Sequence, residues 1–148
     1  MITIDVTGLD AEFADFEKQM IAAVADEVES VVTDVHERIL DRSPVDTGEF
    51  VASWRVSRDT PELVSNGPVG PETPGAAQMA LGTEPNRAAA EAISRASRDA
   101  TDFSDPFRQF WISNASPQAI PIEYGDASKR APAGVARLAV EEVAAGVR

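Results

Sequence analysis

The sequence predicts an α+β fold: a long N-terminal helix and C-terminal helices packed on a small, mainly antiparallel sheet, with a Pro/Gly-rich arm. Three observations carry that expectation. Apolar residues recur at helical spacing through the first third of the chain. Short segments further on alternate with period two. Five prolines and four glycines crowd residues 59–85, a density of breakers that no long packed element survives.

The first element runs from Asp10, read as its N-cap, to Ser43. Phe13, Phe16, Met20, Val24, Val28, Val31, Val35 and Ile39 step by threes and fours, and Ile21 and Val32 widen the stripe. Ser43-Pro44 stops the helix, because a residue before proline avoids the α region. Some 31 helical residues span roughly 46 Å at 1.5 Å each, as long as a compact 148-residue domain is wide. The helix must therefore kink, or another chain must bury part of its stripe.

Residues 44–50 form a turn punctuated by Pro44 and Gly48, and residues 51–58 form a strand with Trp54 and Val56 on one face. Residues 59–85 are a flexible arm or loop of the single domain 1–148. Ala88, Ala89, Ala92, Ile93 and Ala96 give residues 86–101 a helical small-residue face after the start signal Glu84-Pro85. Phe107 to Ile112 form a second apolar cluster, read as a strand. Residues 122–124 read as a short strand ended by Gly125, and residues 133–147 as a closing helix.

Composition narrows the function. The formal charge is −12, and residues 1–50 hold 13 acids against 3 bases, so a basic nucleic-acid-binding surface is not the main business of the molecule. Asp15, Asp26, Glu29 and Glu37 lie away from the apolar stripe. They form either a solvated helix face or an acidic wall that lets a DNA duplex pass without sticking. The chain has no cysteine and one histidine, which removes disulfides, thiolate catalysis and Cys- or His-rich metal centres within one chain. No apolar stretch approaches the roughly 20 residues that span a bilayer. The start Met-Ile-Thr-Ile-Asp has no basic n-region, so synthesis in the cytoplasm is expected.

Catalytic motifs are not found. There is no P-loop, GxGxxG or GxSxG, and His36 is a lone mid-helix histidine. Asp99, Asp102 and Asp105 lack the glycine and terminal glutamate of a calcium loop and read as a polar turn. Trp54, Trp111 and Tyr124 lack a basic surround for base stacking and read as core. No enzyme activity, metal or cofactor is expected.

Two segments carry a resemblance. Residues 43–56 read Ser-Pro-Val-Asp-Thr-Gly-Glu-Phe-Val-Ala-Ser-Trp-Arg-Val directly after the long helix. Residues 112–125 read Ile-Ser-Asn-Ala-Ser-Pro-Gln-Ala-Ile-Pro-Ile-Glu-Tyr-Gly, followed by Lys129-Arg-Ala-Pro-Ala-Gly and the closing helix. In order and spacing this resembles the small tail-component family of tailed bacteriophages and prophages, variously called neck, head–tail joining or tail-completion proteins. Phe50 and Gln118 depart from the family's usual leucine-like and aromatic residues, and residues 59–111 lie outside the motifs.

The resemblance implies a virion protein without catalytic activity, in a ring, commonly of six copies, between capsid connector and tail tube. Its partners are then other copies of itself, a tail terminator or tail-tube protein and a head-closure or connector protein. DNA passes only non-specifically through the lumen. The motif residues Pro44, Asp46, Thr47, Gly48, Trp54, Glu123, Tyr124, Gly125 and Pro132 are expected to shape the fold and its interfaces. Asp46 accepts amide hydrogen bonds, Gly48 supplies a special backbone angle, and Trp54 anchors the strand. Pro132 sets the start of the closing helix. Glu123, whose charge folding does not explain, meets an arginine of its own or a neighbouring chain. Two other roles remain open at this point: a tail terminator, or a non-virion assembly chaperone.

Overall fold

The computed structural model describes residues 8–125 and 128–146. Its elements are α1 (Leu9–Arg42), α2 (Glu49–Ala52), β1 (Trp54–Arg58), α3 (Arg87–Asp99), β2 (Phe110–Asn114), α4 (Ala119–Tyr124) and α5 (Ala136–Ala144), with one 3-10 turn at Ala76–Gln78. The fold is α+β, with a long N-terminal helix, short C-terminal helices and a two-stranded antiparallel sheet.

α1 is one uninterrupted helix of 34 residues, about 51 Å long at 1.5 Å per residue. It does not kink. Gly8, not Asp10, precedes it, in a left-handed conformation that releases the chain from the helix path. At the other end Ser43 is extended, as its proline neighbour requires, and its hydroxyl donates to the Ile39 carbonyl at 2.7 Å. Arg87, buried, donates to the Leu40 carbonyl at 2.9 Å and the Ser43 carbonyl at 2.7 Å. A guanidinium therefore meets the negative end of the helix dipole, where carbonyls lack intrahelical partners.

Two expected strand segments are helical. Val51 and Ala52 close the single turn of α2: the Ala52 and Ser53 amides reach back to the Gly48 and Glu49 carbonyls at 2.9 and 3.0 Å. Residues 122–124 belong to α4, not to a strand. Pro121 sits in the first turn of α4, where a missing N–H costs nothing, whereas in a ladder it would delete a donor. The Ile122 amide closes the turn on the Gln118 carbonyl at 2.9 Å. α5 begins at Ala136, four residues past Pro132, which is exposed in the preceding turn; Val147 lies outside the described residues.

β1 pairs with β2 in the register Trp54↔Asn114, Val56↔Ile112 and Arg58↔Phe110. Two strands alone are marginal in water. α3 supports them and covers the free edge of β1 with hydroxyls one and two turns apart. Ser94 donates to the Trp54 carbonyl at 2.9 Å, Ser97 accepts from the Val56 amide at 3.1 Å, and Thr101, just past the helix, donates to the Val56 carbonyl at 3.0 Å. Unpaired edge groups that would otherwise recruit another strand are thereby satisfied. The core between these elements gathers Ile39, Leu40, Val45, Phe50, Val51, Trp54, Ala90, Ile122, Val135 and Ala139.

The core reaches only the last turns of α1. Leu9 through Val24 are all exposed apart from Ile21, and the buried residues of α1 are Ala25, His36, Ile39 and Leu40. Phe13 and Phe16 are 62% and 61% exposed. At about 100° per residue, the buried set points nearly opposite to Leu9, Phe13, Phe16, Met20 and Val31.

Candidate functional site

The two family-like segments meet. Pro44, Val45, Asp46, Thr47, Gly48 and Phe50 form one wall of a cleft of about 590 Å³, and Gln118, Pro121 and Ile122 form another. Ala76, Ala77 and Gln78 close it on one side, and Lys129 and Arg130 sit at its rim.

Each wall is held from behind. Asp46 accepts the Thr73 amide at 2.7 Å, and its carbonyl accepts the Asn86 side-chain amide at 2.6 Å. The Thr47 carbonyl takes the Val69 and Gly70 amides at 2.9 and 3.0 Å. The loop 59–85 is thus tied to the motif turn: Asp46 bonds across to Thr73 rather than within its own turn. Gly48 has φ +83°, and a Cβ there would stand 3.1 Å from the Cβ atoms of Ala90 and Val69. Trp54 is buried beneath the cleft, its Nε1–H donating to Ser43 Oγ at 3.2 Å and its ring edge-on to Phe50.

Glu123 faces away from the cleft, and folding does explain its charge. Its Oε2 accepts the Val135 and Ala136 amides at 2.7 and 3.0 Å, its Oε1 accepts the Arg137 amide at 3.0 Å, and the Arg137 Nε–H donates to Oε1 at 3.1 Å. It therefore caps the start of α5 from twelve residues upstream and pairs with an arginine of its own chain. Partial burial pushes its pKa up, but the three amides and Arg137 outweigh that, so it titrates below the usual carboxylate range. Gly134 makes room: at φ +85°, a Cβ there would stand 2.8 Å from the Glu123 carbonyl oxygen. Tyr124 is not core. It is 66% exposed, with the Arg137 guanidinium 4.9 Å over its ring. A Cβ on Gly125 would press on the Pro121 carbonyl oxygen at 2.9 Å.

The four acids assigned to a wall divide. Asp15, Asp26 and Glu29 are exposed on α1, and none is in an ion pair among the described residues. Glu37 is not part of that wall. It faces α3, where Arg95 donates from Nη2 at 2.7 Å and Arg98 closes a second ion pair. The hydrogen bonds from Arg95 hold Glu37 at a pKa of about 2.

His36 is fully buried. Ser94 spends its one hydroxyl proton on the Trp54 carbonyl, so the 2.9 Å contact with Ser94 Oγ is donated by His36 Nε2. Nδ1 is then the bare nitrogen and has no hydrogen-bond partner among the described residues. Burial, followed by the charge of Arg98, lowers the pKa of His36 to about 4. Both residues of this Ser–His contact are fully buried, and it serves as a neutral strut between α1, α3 and β1. Asp102 and Asp105 make short turns to the Ser104 and Phe107 amides at 2.9 and 3.1 Å, as expected of a polar connection. No group of three or more His, Asp or Glu side chains among the described residues could hold a metal ion, and no described helix is long and apolar enough to cross a membrane.

Some site residues gave no sequence motif. Glu84 is buried and shared by Arg87 and Arg130, which fixes the rim of the cleft to the start of α3. The spacing Glu84, Arg87, Glu91, Arg95 carries a helical ion-pair signal that could have exposed this ladder. Nothing local marks Arg130, whose partner lies 46 residues away.

Compared with known proteins, the chain matches no family model, no curated protein and no solved structure.

Proposed function

We propose that this chain is a structural virion protein of the phage neck, a tail-completion component that forms a ring at the head–tail junction through which DNA passes. The observation that carries the reading is the projecting half of α1. Sixteen consecutive residues, Leu9 to Val24, stand off the body with two phenylalanines in water. A chain that functioned alone would gain nothing from that arrangement, whereas an assembling chain needs it. The order of the two sequence motifs and their convergence on one cleft support the same reading. In such a ring Asp15, Asp26 and Glu29 lie on the side of α1 opposite its apolar stripe and serve as a wall that DNA slides past. The role involves no turnover, and its partners are other copies of the chain and the head-closure and tail-tube components on either side.

The uncompensated acids of α1 favour one second reading, a non-virion assembly chaperone that shields a basic partner. Quantitative mass spectrometry of purified particles separates the two. The neck reading expects the chain at a fixed small multiple, near six per particle; its absence from finished particles would overturn that reading and support the chaperone.

A further inference from the structure

The two edges of the sheet are treated differently. The Asp59 amide donates to the Gln109 carbonyl at 2.7 Å, and these two residues are the next pair beyond Arg58↔Phe110 in the register. Along an antiparallel ladder, hydrogen-bonded pairs alternate with pairs that are not bonded. Ser57↔Trp111 and Arg55↔Ser113 therefore exchange bonds across the sheet. The backbone groups of Trp54, Val56 and Arg58 point outward from β1, and those of Phe110, Ile112 and Asn114 point outward from β2. On the β1 side the hydroxyls of Ser94, Ser97 and Thr101 meet the Trp54 carbonyl and both backbone groups of Val56. The β2 side has no counterpart. Among the described residues no hydrogen bond reaches the N–H or C=O of Phe110, Ile112 or Asn114.

This open edge also lacks the devices that keep edges apart. Phe110-Trp111-Ile112-Ser113-Asn114 has no charge, no proline and no glycine, and its first three residues favour strands. Phe107, 76% exposed, stands just before it. The strand lies in the longest stretch of the chain without an acid, residues 106–122, whose single base, Arg108, is paired with Asp59. With a net charge of −12, two copies repel each other over most of their surface, and an acid-free edge is where they can approach.

We propose that β2 pairs with β2 of a second copy, antiparallel about a two-fold axis at Ile112, so that two two-stranded sheets join into one of four strands. The outward residues are spaced symmetrically about Ile112. Ile112 then exchanges both of its bonds with Ile112 of the second copy, and Phe110 exchanges both with Asn114 of the second copy. Every free donor and acceptor of the edge is matched in that register, whereas a slip by two residues leaves Phe110 or Asn114 unmatched. The edge is thus its own complement, in hydrogen bonds and in charge, which is why a second copy is the strand that fits it. Such a contact is isologous and closes on itself. It goes beyond the neck reading and uses no residue of α1. A ring between head and tail is polar and has no two-fold axis in its plane, so the pair belongs to the free chain and opens on assembly.

Residue-resolved amide exchange and light scattering on the full wild-type chain test the pair. Two five-residue strands bury less than a standard interface, so the series runs from dilute protein to about 1 mM. The scattering mass is expected to rise from one copy toward two. Over the same range the amides of Phe110, Ile112 and Asn114 should slow by at least about tenfold, while those of Trp111 and Ser113, already in the ladder, stay slow throughout. Ile112→Pro removes the donor at the axis without touching the ladder to β1, and Ser113→Lys sets a charge on each edge beside the axis. Each is expected to weaken pairing by at least about tenfold. Circular dichroism checks that both are folded, and Ser113→Lys carries the test if the proline variant is not. A wild type monomeric at 1 mM, association without slowing at residues 110, 112 and 114, or full pairing in a folded Ser113→Lys variant would overturn the proposal. None of these results bears on the neck reading, which stands or falls on particle composition.

Discussion

The body and the projecting half of α1 are built on opposite rules. In the body, all ten described arginines are ion-paired: with Glu142, Glu62, Asp59, Asp102, Glu84, Glu91, Glu37, Asp99 or Glu123. Buried polar groups there are mostly matched, down to the three hydroxyls along the edge of β1. Along α1 as far as Asp34, a stretch that takes in the projecting half, eight acids meet one lysine, and Leu9, Phe13, Phe16 and Met20 lie in water. The overall charge of −12 thus averages a nearly neutralised body and an unneutralised helix. The difference teaches where to look for function: the body pairs most of its own groups, and the helix leaves its acids and its apolar face in water.

That contrast can be broken by substitutions in either region, and the largest effects belong to the body. Trp54→Ala removes a buried ring that packs on Phe50 and holds Ser43, and is expected to cost about 3–5 kcal/mol in urea unfolding. Acid acts next. An unfolded histidine titrates near 6.5 and His36 in the fold near 4, so the unfolded chain takes up the proton first. Its contribution is complete above pH 6.5 and is lost as the pH falls toward 4, on the order of 3 kcal/mol at most. Glu37, held at about 2, adds a further loss below its ordinary range near 4.5. Unfolding midpoints measured from pH 7.5 to 4 should therefore fall steadily, and a flat profile would mean that His36 is not sealed as described.

Glu123→Ala leaves the first amides of α5 without their acceptor and is expected to cost about 1–2 kcal/mol. Because α5 covers the last turns of α1, the same variant should loosen that contact, visible as faster amide exchange in residues 136–144. The smallest stability effect belongs to the helix. Phe13→Ser should change unfolding by no more than about 0.5 kcal/mol, since the side chain touches no part of the core. A cost as large as that of Trp54→Ala would show that the stripe belongs to the fold after all.

Periodicity in the sequence locates α1 almost to the residue, because a helix of many turns repeats its signal. It does not say which stripe is buried. The large apolar side chains of its first half mark a face that lies in water, while the body takes the end of the predicted stripe, Val35 and Ile39, together with Ala25, His36 and Leu40 from beside it. Residues 122–124 read as a strand because three residues cannot separate a period of two from one of 3.6, and Pro121 was the better guide. Trp54 and Gly48 were legible because their chemistry acts locally. Glu123 was not, because its partners lie twelve to fourteen residues downstream, and neither was Arg130. The cleft itself is a product of that long-range folding: each wall is visible as a motif, but only the fold brings them together.

The central claim is that residues 9–24 are an assembly surface and not a part of the body. Amide hydrogen exchange of the peptide spanning those residues, measured on the wild type at low and at high protein concentration, tests it most directly. Exposed at every position but Ile21, the segment should exchange fast when dilute and gain at least tenfold protection when concentrated, while β1 stays unchanged. Slow exchange at the lowest concentration, or protection that does not rise with concentration, would contradict it.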